Sequence, residues 1–464
     1  MLRKRCHWLL GVALCAMLLS TAAPAREDTF EFGRFGKIHV VVPEGKITSV
    51  ALLAADNVPW NEDAQSLARA LAQTGALVAG IDTSVYLQAA EDSDEYCTYV
   101  AGELEDLAHG VQKRYAVANY LSPVLIGYGQ GGGLWYSAMA QAPGGTFRAL
   151  LTLGFCPTLN LRHRICDGRL LKTASSAGGT TFQPADLKES WVALNGAAAQ
   201  RCPVGPAADF IARIPGAQIV TLPATPSRDS DRKQLQSAYQ KLANASKGKP
   251  LPAKVEDLPL IEVPAKAAAS TEHADQFAVI ITGDGGWAGL DREVAAGFSE
   301  AGIPVVGLSS LKYFWQLRTP EQTALDLQRI IDYYSSTWRR KRAILIGYSF
   351  GADVMPAAVN RLSPDTRGKI AAVNLLGLAE RASFEIHVTA WLGQYAQGPQ
   401  IKPEVERIRM TPILCIRGDD EGDSLCPQLT QPNVRKLDLP GGHHFDGDYG
   451  RLVGEMLNQK VDSR

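Results

Sequence analysis

The sequence predicts a two-domain α/β protein, and three observations support this prediction. The chain has 464 residues, which is long for one domain and natural for two. Short apolar runs typical of strands alternate with amphipathic stretches typical of helices. The same order of elements occurs twice, which indicates an internal repeat.

The repeat is visible as matching segments in the two halves. In the first half, strands are predicted at KIHVVVPE, TSVALLAAD and ALVAGID, with a helix at AQSLARALAQTG before the last of them. The second half has the same order of strand, helix and strand in FAVIITGD, REVAAGFSEAG and IPVVGLS. Trp60 aligns with Trp287, and after a small gap LIGY at 125–128 matches LIGY at 345–348 letter for letter. We therefore expect two tandem domains with one fold.

The N-terminal residues 1–25 have the features of a secretory signal peptide. A basic start precedes an apolar core, and small residues at Ala23 and Ala25 suit cleavage before Arg26. No other segment is long and apolar enough to span a bilayer. We predict domains at 26–225 and 257–464. Residues 226–256 join them, with a polar helix first and a linker at 246–254.

Composition narrows the possible functions. Lysine and arginine number 47 against 48 aspartate and glutamate, so bulk charge gives no support for nucleic-acid binding. Eight cysteines become six without the signal peptide, and an even number in an exported chain suggests disulfides. The pairing of Cys97, Cys156, Cys166 and Cys202 cannot be read from the sequence. No cysteine pair has zinc-site spacing, so we predict no metal and no cofactor.

The segment RAILIGYSFGADV, residues 342–354, predicts a nucleophilic serine. Its apolar run is typical of a buried parallel strand, and Gly-x-Ser-x-Gly follows it. Glycines on both sides of Ser349 let the strand and the next helix pass closely, which lifts the hydroxyl above the sheet edge. Pro356 predicts a kink or an early break in that helix.

A serine nucleophile needs a base and an acid, which follow it in this chain order. LDLPGGHHFDGDY supplies two histidines after a strand: His443 is the first choice as base, and His444 is the alternative. The acid must come from the loop after ILCIRG. Asp423 is the first choice because it stands four residues before Pro427, and Glu421 is second.

Two backbone N–H groups are needed to stabilise the oxyanion of the tetrahedral intermediate. One is expected from Phe350, directly after the nucleophile. The second is expected from the glycine-rich loop GDGGW at 283–287, from Gly286 or Trp287.

The first half of the repeat has lost these chemical groups. It has Gly129 where the second half has Ser349. VALNGAAAQRCP has no acid where ILCIRGDDEGDSLCP has several, and IVTLPATPS has no histidine where KLDLPGGHH has two. We predict that the first domain is a hydrolase-like domain without catalysis.

Together, GDGGW, LIGYSFGADV, EGDSLCP and LPGGHHFDGDY resemble the AcvB and VirJ family of bacterial virulence proteins. The resemblance covers nearly the whole chain after the signal peptide and implies tandem α/β-hydrolase domains in the periplasm. It also implies a phospholipid substrate at the membrane surface: hydrolysis of the ester that links lysine or alanine to phosphatidylglycerol. It does not indicate which aminoacyl group is preferred.

Such a substrate carries an ammonium group beside the ester carbonyl, which a carboxylate would bind. Asp284 and Asp353 are nearest to the proposed site in sequence, although each could instead cap a turn or helix. YFWQL, residues 313–317, could form a lid against lipid or pack in the core. We also predict a disulfide between Cys415 and Cys426 around the acid loop.

Two other functions fit the sequence. One is a general exported esterase or thioesterase with the same triad. The other is a periplasmic binding or secretion-associated factor in which the inactive domain carries the function. The sequence does not identify a protein partner of the N-terminal domain.

Overall fold

The structure, a computed structural model, describes residues 26–56, 59–168, 170–176, 178–196, 202, 204–222, 228–245, 254–387 and 398–459. The predicted signal peptide at 1–25 and most of the predicted linker at 246–254 lie outside these residues. Within them, no helix has the length and apolar character needed to cross a membrane.

The first domain consists of a large sheet, a small sheet and covering helices. Its strands are β1 (Arg26–Glu31), β2 (Lys37–Val42), β3 (Ser49–Ala54), β4 (Ala76–Ile81), β5 (Val124–Tyr128), β6 (Ala149–Leu153), β7 (Thr158–Leu159), β8 (Thr173–Ser176), β9 (Gly179–Phe182), β10 (Ser190–Asn195) and β11 (Ala217–Thr221). Its helices are α1 (Glu62–Ala72), α2 (Thr83–Glu91), α3 (Val100–Arg114), α4 (Gln130–Gln141), α5 (Val204–Ala212) and α6 (Arg228–Asn244).

The second domain repeats this plan. Its strands are β12 (Leu260–Val263), β13 (Gln276–Ile281), β14 (Val305–Leu308), β15 (Arg342–Tyr348), β16 (Ile370–Leu376), β17 (Ile413–Gly418) and β18 (Val434–Leu439). Its helices are α7 (Gly289–Glu300), α8 (Ser310–Tyr313), α9 (Pro320–Thr337), α10 (Phe350–Asn360), α11 (Pro364–Gly368), α12 (Lys402–Arg407) and α13 (Tyr449–Leu457).

The two large sheets have the same strand order. The first is β1-β2-β4-β3-β5-β6-β10-β11 and the second is β12-β14-β13-β15-β16-β17-β18, so β12 corresponds to β2 and β18 to β11. Within the first large sheet, the neighbours β4, β3, β5, β6, β10 and β11 pair in parallel, and so do β14, β13, β15, β16, β17 and β18 in the second. Strand β2 pairs antiparallel with β4, and β12 pairs antiparallel with β14. Apolar clusters lie on both faces of each sheet, as expected for parallel strands.

The register of the repeat is confirmed at the level of single side chains. Strands β3 and β13 lie 227 positions apart at both ends. A Cβ built on Gly80 of β4 would lie 2.0 Å from the ring of Trp60, and a Cβ built on Gly307 of β14 would lie 2.0 Å from the ring of Trp287. Each aligned tryptophan thus packs flat on the glycine of the neighbouring strand.

Helix α6 occupies much of the segment predicted as a linker. Its Tyr239 hydroxyl donates a 2.8 Å hydrogen bond to Ser49 Oγ on β3, and the Tyr239 ring is buried in the core of the first domain. The predicted polar helix is therefore present, but it packs on the first sheet as part of the first domain.

Three disulfides are present among the described residues. Cys415 pairs with Cys426, as predicted, and links β17 to the end of the loop that follows it. Cys97 pairs with Cys166, and Cys156 pairs with Cys202. The Cys156–Cys202 bond joins Cys202 to the loop after β6, whereas Cys426 of the second domain is bonded to Cys415 within β17.

The two domains contact each other through α3 and the segment that follows α8. Lys113 Nζ donates to the Trp315 carbonyl at 2.6 Å and forms an ion pair with Glu385 at 3.1 Å. Trp315 Nε1 donates to the Val117 carbonyl at 2.8 Å, and the Tyr120 ring lies 5.1 Å from the Trp315 ring. Tyr120 thereby belongs to the apolar core of the second domain.

Candidate active site

Ser349 lies in the turn between β15 and α10, as the motif predicts. Its φ of 51° and ψ of −121° are a strained combination for a non-glycine residue, and such strain costs on the order of 1–3 kcal/mol. A Cβ on Gly351 would lie 2.0 Å from the Ile281 carbonyl oxygen, so the helix can approach the sheet only through a glycine. Helix α10 continues past Pro356 to Asn360, so the predicted early break is wrong.

His443 lies over the strand next to the serine. Tyr348 and Leu376 are register partners on β15 and β16, which places Ser349 beside Gly377. A Cβ built on Gly377 would lie 2.6 Å from Cε1 of His443, so the imidazole rests on this glycine. Neighbouring strands are about 4.8 Å apart. The ring therefore lies within side-chain reach of the serine.

The acid that holds His443 is Glu421. His443 Nδ1 donates a short hydrogen bond to Glu421 Oε1, and Glu421 Oε2 accepts a 2.7 Å hydrogen bond from the Gly418 N–H. Asp423, our first choice, is exposed to solvent. The prediction of Asp423 as the acid is therefore corrected to Glu421, because the longer side chain, anchored at the end of β17, reaches the imidazole.

The charges of this pair support each other. Burial opposes the ionised form of Glu421, but the hydrogen bonds from His443 and from the Gly418 N–H hold its pKa below its ordinary value. Burial alone would lower the pKa of His443; the hydrogen bond and charge of Glu421, with the charges of Asp284 and Asp353, raise it above its ordinary value. Because Nδ1 is engaged by Glu421, Nε2 is the nitrogen left to accept a proton.

His444, the alternative base, has a different role in the structure. Its Nδ1 lies 2.9 Å from the hydroxyl of Tyr348, which also donates to the His443 carbonyl at 3.2 Å. Burial and the charge of His443 lower the pKa of His444. Tyr348 thus fixes the His443–His444 loop, and His444 does not contact the acid that holds His443.

Of the predicted oxyanion donors, Phe350 and Trp287 stay predictions and Gly286 does not. Phe350 is the first residue of α10, where backbone N–H groups have no partner within the helix. The N–H of Gly286 donates to the Gly283 carbonyl at 3.1 Å, which closes the turn and removes Gly286 as a preorganised donor. Trp287 remains the predicted second donor.

Two carboxylates adjoin the serine and histidine, as proposed for an ammonium group. Asp353 lies one turn after Ser349, and its Oδ1 accepts the Ala379 N–H at 2.9 Å. Burial raises the pKa of Asp353 to about 8, with the charge of Asp284 contributing in the same direction. Asp284 lies in the turn after β13 and raises the pKa of His443 as well. Asp353 is thus held by the hydrogen bond from the Ala379 N–H. The negative charge of Asp284 acts on both Asp353 and His443.

The corresponding place in the first domain is blocked by a carboxylate. Gly129 has nearly the same backbone angles as Ser349, with φ of 55° and ψ of −120°. A Cβ at Gly129 would lie 2.3 Å from Oδ1 of Asp56, and the same oxygen accepts the Gln130 N–H at 3.0 Å. Gln130 corresponds to Phe350, so Asp56 occupies both the position of a nucleophile and the donor that would hold an oxyanion. The positions aligned with His443 and His444 lie outside the described residues.

The YFWQL segment does not form a lid. Tyr313, Phe314 and Trp315 are each at most 2% exposed. Phe314 packs against Phe350 with ring centroids 4.9 Å apart, and Trp315 makes the contacts with the first domain. Core packing is correct for these three aromatic residues, whereas Leu317 at the end of the segment is 68% exposed. The aromatic residues join the interdomain contact to the serine turn.

Sequence reasoning missed Gly377, Tyr348 and Asp56. Gly377 follows a buried strand in NLLGLAE, and its φ of 62° requires the glycine. The glycine was visible in the sequence, but its contact with His443 depends on tertiary packing. Among the described residues there is no cluster of histidine, cysteine and acidic side chains suited to a metal ion.

A serine on a strand-to-helix turn, followed along the chain by an acid and a histidine, is the arrangement of the α/β-hydrolase fold. With the repeated sheet order, it confirms the prediction of two tandem α/β-hydrolase-like domains, the first without the serine.

Comparisons with known proteins find one family model and several similar solved structures. Residues 275–464 match the family model described as bacterial virulence protein (VirJ). Similar solved structures include an α/β serine hydrolase without lid from Xanthomonas campestris (18% identity, 48% of this chain and 97% of that chain, TM-score 0.32). A dienelactone hydrolase from Anabaena variabilis is also similar (16% identity, 48% of this chain and 96% of that chain, TM-score 0.33). So is an esterase domain from Rhodothermus marinus (16% identity, 47% of this chain and 97% of that chain, TM-score 0.31). A search of curated proteins finds no match.

Proposed function

Residues 275–464 belong to the VirJ family of bacterial virulence proteins, and from this premise we propose that the chain is a periplasmic serine ester hydrolase. Its substrate is the aminoacyl ester of lysyl- or alanyl-phosphatidylglycerol. Ser349 is the nucleophile, His443 the general base and Glu421 the acid that orients it. The three disulfides fit an exported protein.

The observation that carries the proposal is the seating of His443. The imidazole rests on Gly377, beside Ser349, and its Nδ1 is held by Glu421. A serine hydroxyl becomes a nucleophile only when a positioned base takes its proton. A surface histidine pair without catalytic use would not require both a glycine platform and a carboxylate whose side chain is only 10% exposed.

The acylation step follows from this geometry. Nε2 of His443 takes the proton of the Ser349 hydroxyl as Oγ attacks the ester carbonyl, and Glu421 stabilises the imidazolium that forms. The carbonyl oxygen becomes an oxyanion, which the N–H of Phe350 and that of Trp287 bind. The C–O bond to the lipid then breaks. The lipid alkoxide takes the proton from His443 and leaves as phosphatidylglycerol.

Deacylation repeats the sequence with water. His443 takes a proton from water as its oxygen attacks the aminoacyl-serine ester. The bond to Ser349 Oγ breaks, Oγ recovers the proton from His443, and the free amino acid leaves. Asp284 and Asp353 bind the ammonium group of the aminoacyl moiety throughout, which places its carbonyl against the serine.

The experiment compares lipids. Purified wild-type protein is incubated with vesicles that contain lysyl- and alanyl-phosphatidylglycerol, and lipid extracts are analysed over time. We expect conversion to phosphatidylglycerol by the wild type and a loss of at least roughly a thousandfold in Ser349→Ala and His443→Ala, because triad residues act as a unit. Ser336→Ala, on the exposed side of α9, is the matched control.

The outcomes separate the alternatives. Hydrolysis of small esters without any change in the lipids would indicate a general exported esterase or thioesterase. Full lipid hydrolysis by Ser349→Ala would contradict the mechanism. A wild type that cleaves no ester, and whose Ser349 does not react with a fluorophosphonate, would favour a non-catalytic binding factor.

A further inference from the structure

We propose that the first domain positions the two loops of the second domain that carry the predicted oxyanion donors, Phe350 and Trp287. Lys113 of the first domain and Arg292 of the second are the positioning residues. This inference rests on the proposed function, because it concerns how the same site holds its transition state. It gives the first domain a part in the reaction without any chemistry of its own.

The contact surface of the first domain lies at the amino ends of its strands. Val117 and Tyr120 precede β5, and Gly144 and Gly145 precede β6. Strands β5 and β6 are neighbours and pair in parallel, so these two segments lie side by side. Gly129 follows the carboxyl end of β5, at the opposite edge of the sheet. The degenerate site of the first domain is therefore on the far side from this contact surface.

The contact surface of the second domain lies at the carboxyl ends of its strands. Trp315 follows β14 and α8, and Arg292 follows β13 near the start of α7. Strand β13 lies between β14 and β15, and β15 ends directly before Ser349. The carboxyl ends of adjacent parallel strands meet at one edge of a sheet. The first domain therefore rests on the same sheet edge that holds the serine.

The first link runs from Lys113 to Phe350. Lys113 Nζ donates to the Trp315 carbonyl at 2.6 Å and pairs with Glu385 at 3.1 Å. Trp315 is 1% exposed, and the ring of Phe314, the residue before it, lies 4.9 Å from the ring of Phe350. The ammonium group of the first domain thus fixes the backbone beside the ring on which Phe350 packs.

The second link runs from the loop before β6 to Trp287. A Cβ built on Gly144 would lie 2.7 Å from Nη1 of Arg292 and 3.2 Å from Oε1 of Glu189. A Cβ built on Gly145 would lie 2.9 Å from Nη2 of Arg292, and the Gly145 N–H donates to Glu189 Oε1 at 2.7 Å. Arg292 Nε donates to the Trp287 carbonyl at 3.2 Å. The guanidinium therefore contacts the first domain through its Nη atoms and holds the Trp287 backbone through Nε.

The two links predict an effect on the rate of the chemical step. An oxyanion donor binds charge that develops only in the transition state, so its N–H must be aimed at the place the oxyanion will occupy. A domain that orients such donors raises kcat and leaves substrate binding nearly unchanged. His443 and Glu421 belong to neither link, so the base and its acid should stay in place when a link is cut.

The test uses the full-length protein and the 4-nitrophenyl ester of alanine. Arg292→Ala and Lys113→Met should each lower kcat by roughly tenfold to a hundredfold, as a small displacement of a catalytic group does, with KM little changed. Arg292→Lys keeps a donor for the Trp287 carbonyl and should recover part of kcat. Gln316→Ala is the matched control, because Gln316 Nε2 donates to the Ala118 carbonyl at 3.3 Å across the same domain boundary but belongs to neither link. It should keep the wild-type kcat.

A second measurement reports on the oxyanion itself. In the trifluoromethyl ketone of alanine, a trifluoromethyl group replaces the nitrophenoxy group of the ester. Ser349 Oγ adds to its carbonyl carbon, His443 takes the hydroxyl proton, and the carbonyl oxygen becomes an oxyanion. The inhibition constant of this ketone should rise in Arg292→Ala and Lys113→Met by the same factor by which kcat/KM falls. A mere loss of folded protein would leave that constant unchanged.

The outcomes separate this inference from the proposed function. If both variants keep the wild-type kcat, or if the inhibition constant does not change, the inference is overturned while the proposed function stands. The same holds if Gln316→Ala lowers kcat as much as they do. If the wild type cleaves the ester no faster than Ser349→Ala, the proposed function and this inference both fail. Should Arg292→Ala not fold, Glu189→Gln removes the charge beside the guanidinium from the first domain, and an unchanged kcat in that variant overturns the inference.

Discussion

At the residue scale, the position of His443, the proposed base, depends on Glu421. Each of its two carboxylate oxygens accepts a different hydrogen bond: Oε1 from His443 Nδ1, and Oε2 from the Gly418 N–H at the end of β17. A carboxylate bonded on both oxygens keeps one geometry and stays ionised near neutral pH. The base is therefore oriented before any substrate is bound, which is the condition for an effective general base.

The first prediction separates the two candidate acids. Glu421→Gln should lower kcat by roughly 10³ to 10⁴, because an amide cannot stabilise the imidazolium and disturbs the tautomer of His443. Asp423→Asn should retain activity near that of the wild type, because Asp423 is exposed. Steady-state kinetics with one ester substrate measures both. The reverse order of effects would restore Asp423 as the acid.

The second prediction concerns pH. Only neutral His443 can take the serine proton, so kcat/KM should rise as pH increases through the pKa of His443. Burial lowers this pKa, but Glu421 and then Asp284 and Asp353 raise it above its ordinary value, which moves the acidic limb to higher pH. In Asp284→Asn one raising charge is absent, so the limb should move to lower pH. Profiles of kcat/KM for this variant and for Asp423→Asn provide the comparison; an unmoved limb in Asp284→Asn would contradict the assignment.

At the element scale, three adjacent strand ends position the serine, the glycine under the imidazole and the acid. Ser349 directly follows β15, Gly377 directly follows β16, and the loop with Glu421 follows β17. Because these strands are adjacent and parallel, their carboxyl ends meet at one edge of the sheet. The Cys415–Cys426 bond closes the β17 loop at both ends.

The third prediction tests that closure. Restricting a loop this short stabilises the folded state by roughly 3 kcal/mol in the chain-entropy model. Reduction, or the double variant Cys415→Ala and Cys426→Ala, should lower kcat before the domain unfolds, because the loop carries Glu421. Turnover and circular dichroism are followed together during reduction. The double variant Cys97→Ala and Cys166→Ala is the control, since that bond lies in the first domain. Equal kcat losses in both variants would contradict a local effect.

At the scale of the whole molecule, one fold occurs twice with different outcomes. The sheets share strand order and the turns share backbone angles, yet Asp56 occupies in the first domain the place that corresponds to Ser349 in the second. The first domain is joined to the second through α3 and Trp315. The loss of chemistry in the first copy therefore left its packing intact.

The fourth prediction is that Gly129→Ser does not create activity in the first domain. A Cβ at this position meets Asp56 Oδ1 at 2.3 Å, and the N–H needed for an oxyanion is already bound. The variant should be inactive in a Ser349→Ala background and less stable than its parent. The double change Gly129→Ser with Asp56→Gly controls for the steric block and should remain inactive, because VALNGAAAQRCP has no acid. Hydrolysis by either variant would refute the pseudo-enzyme interpretation.

The sequence was sufficient wherever the signal is local. The serine motif, the strand before it and the match of Trp60 with Trp287 each depend on spacing and apolar pattern within a short segment. The choice between Glu421 and Asp423 was not local, because it depends on which side chain reaches an imidazole from another loop. The Asp56 block depends on contacts between distant segments, for which a single sequence has no periodic signal.

The edge strand β12 has a practical consequence for anyone who wishes to produce the second domain alone. The family match begins at residue 275, but β12 pairs with β14 from Leu260 to Val263, and Val255 is fully buried ahead of it. A fragment cut at the start of the match would leave β14 with unpaired backbone groups, a template for intermolecular strand addition. A fragment that begins at residue 254 keeps β12 and its pairing with β14, so that the short strand β12 remains the edge of the sheet.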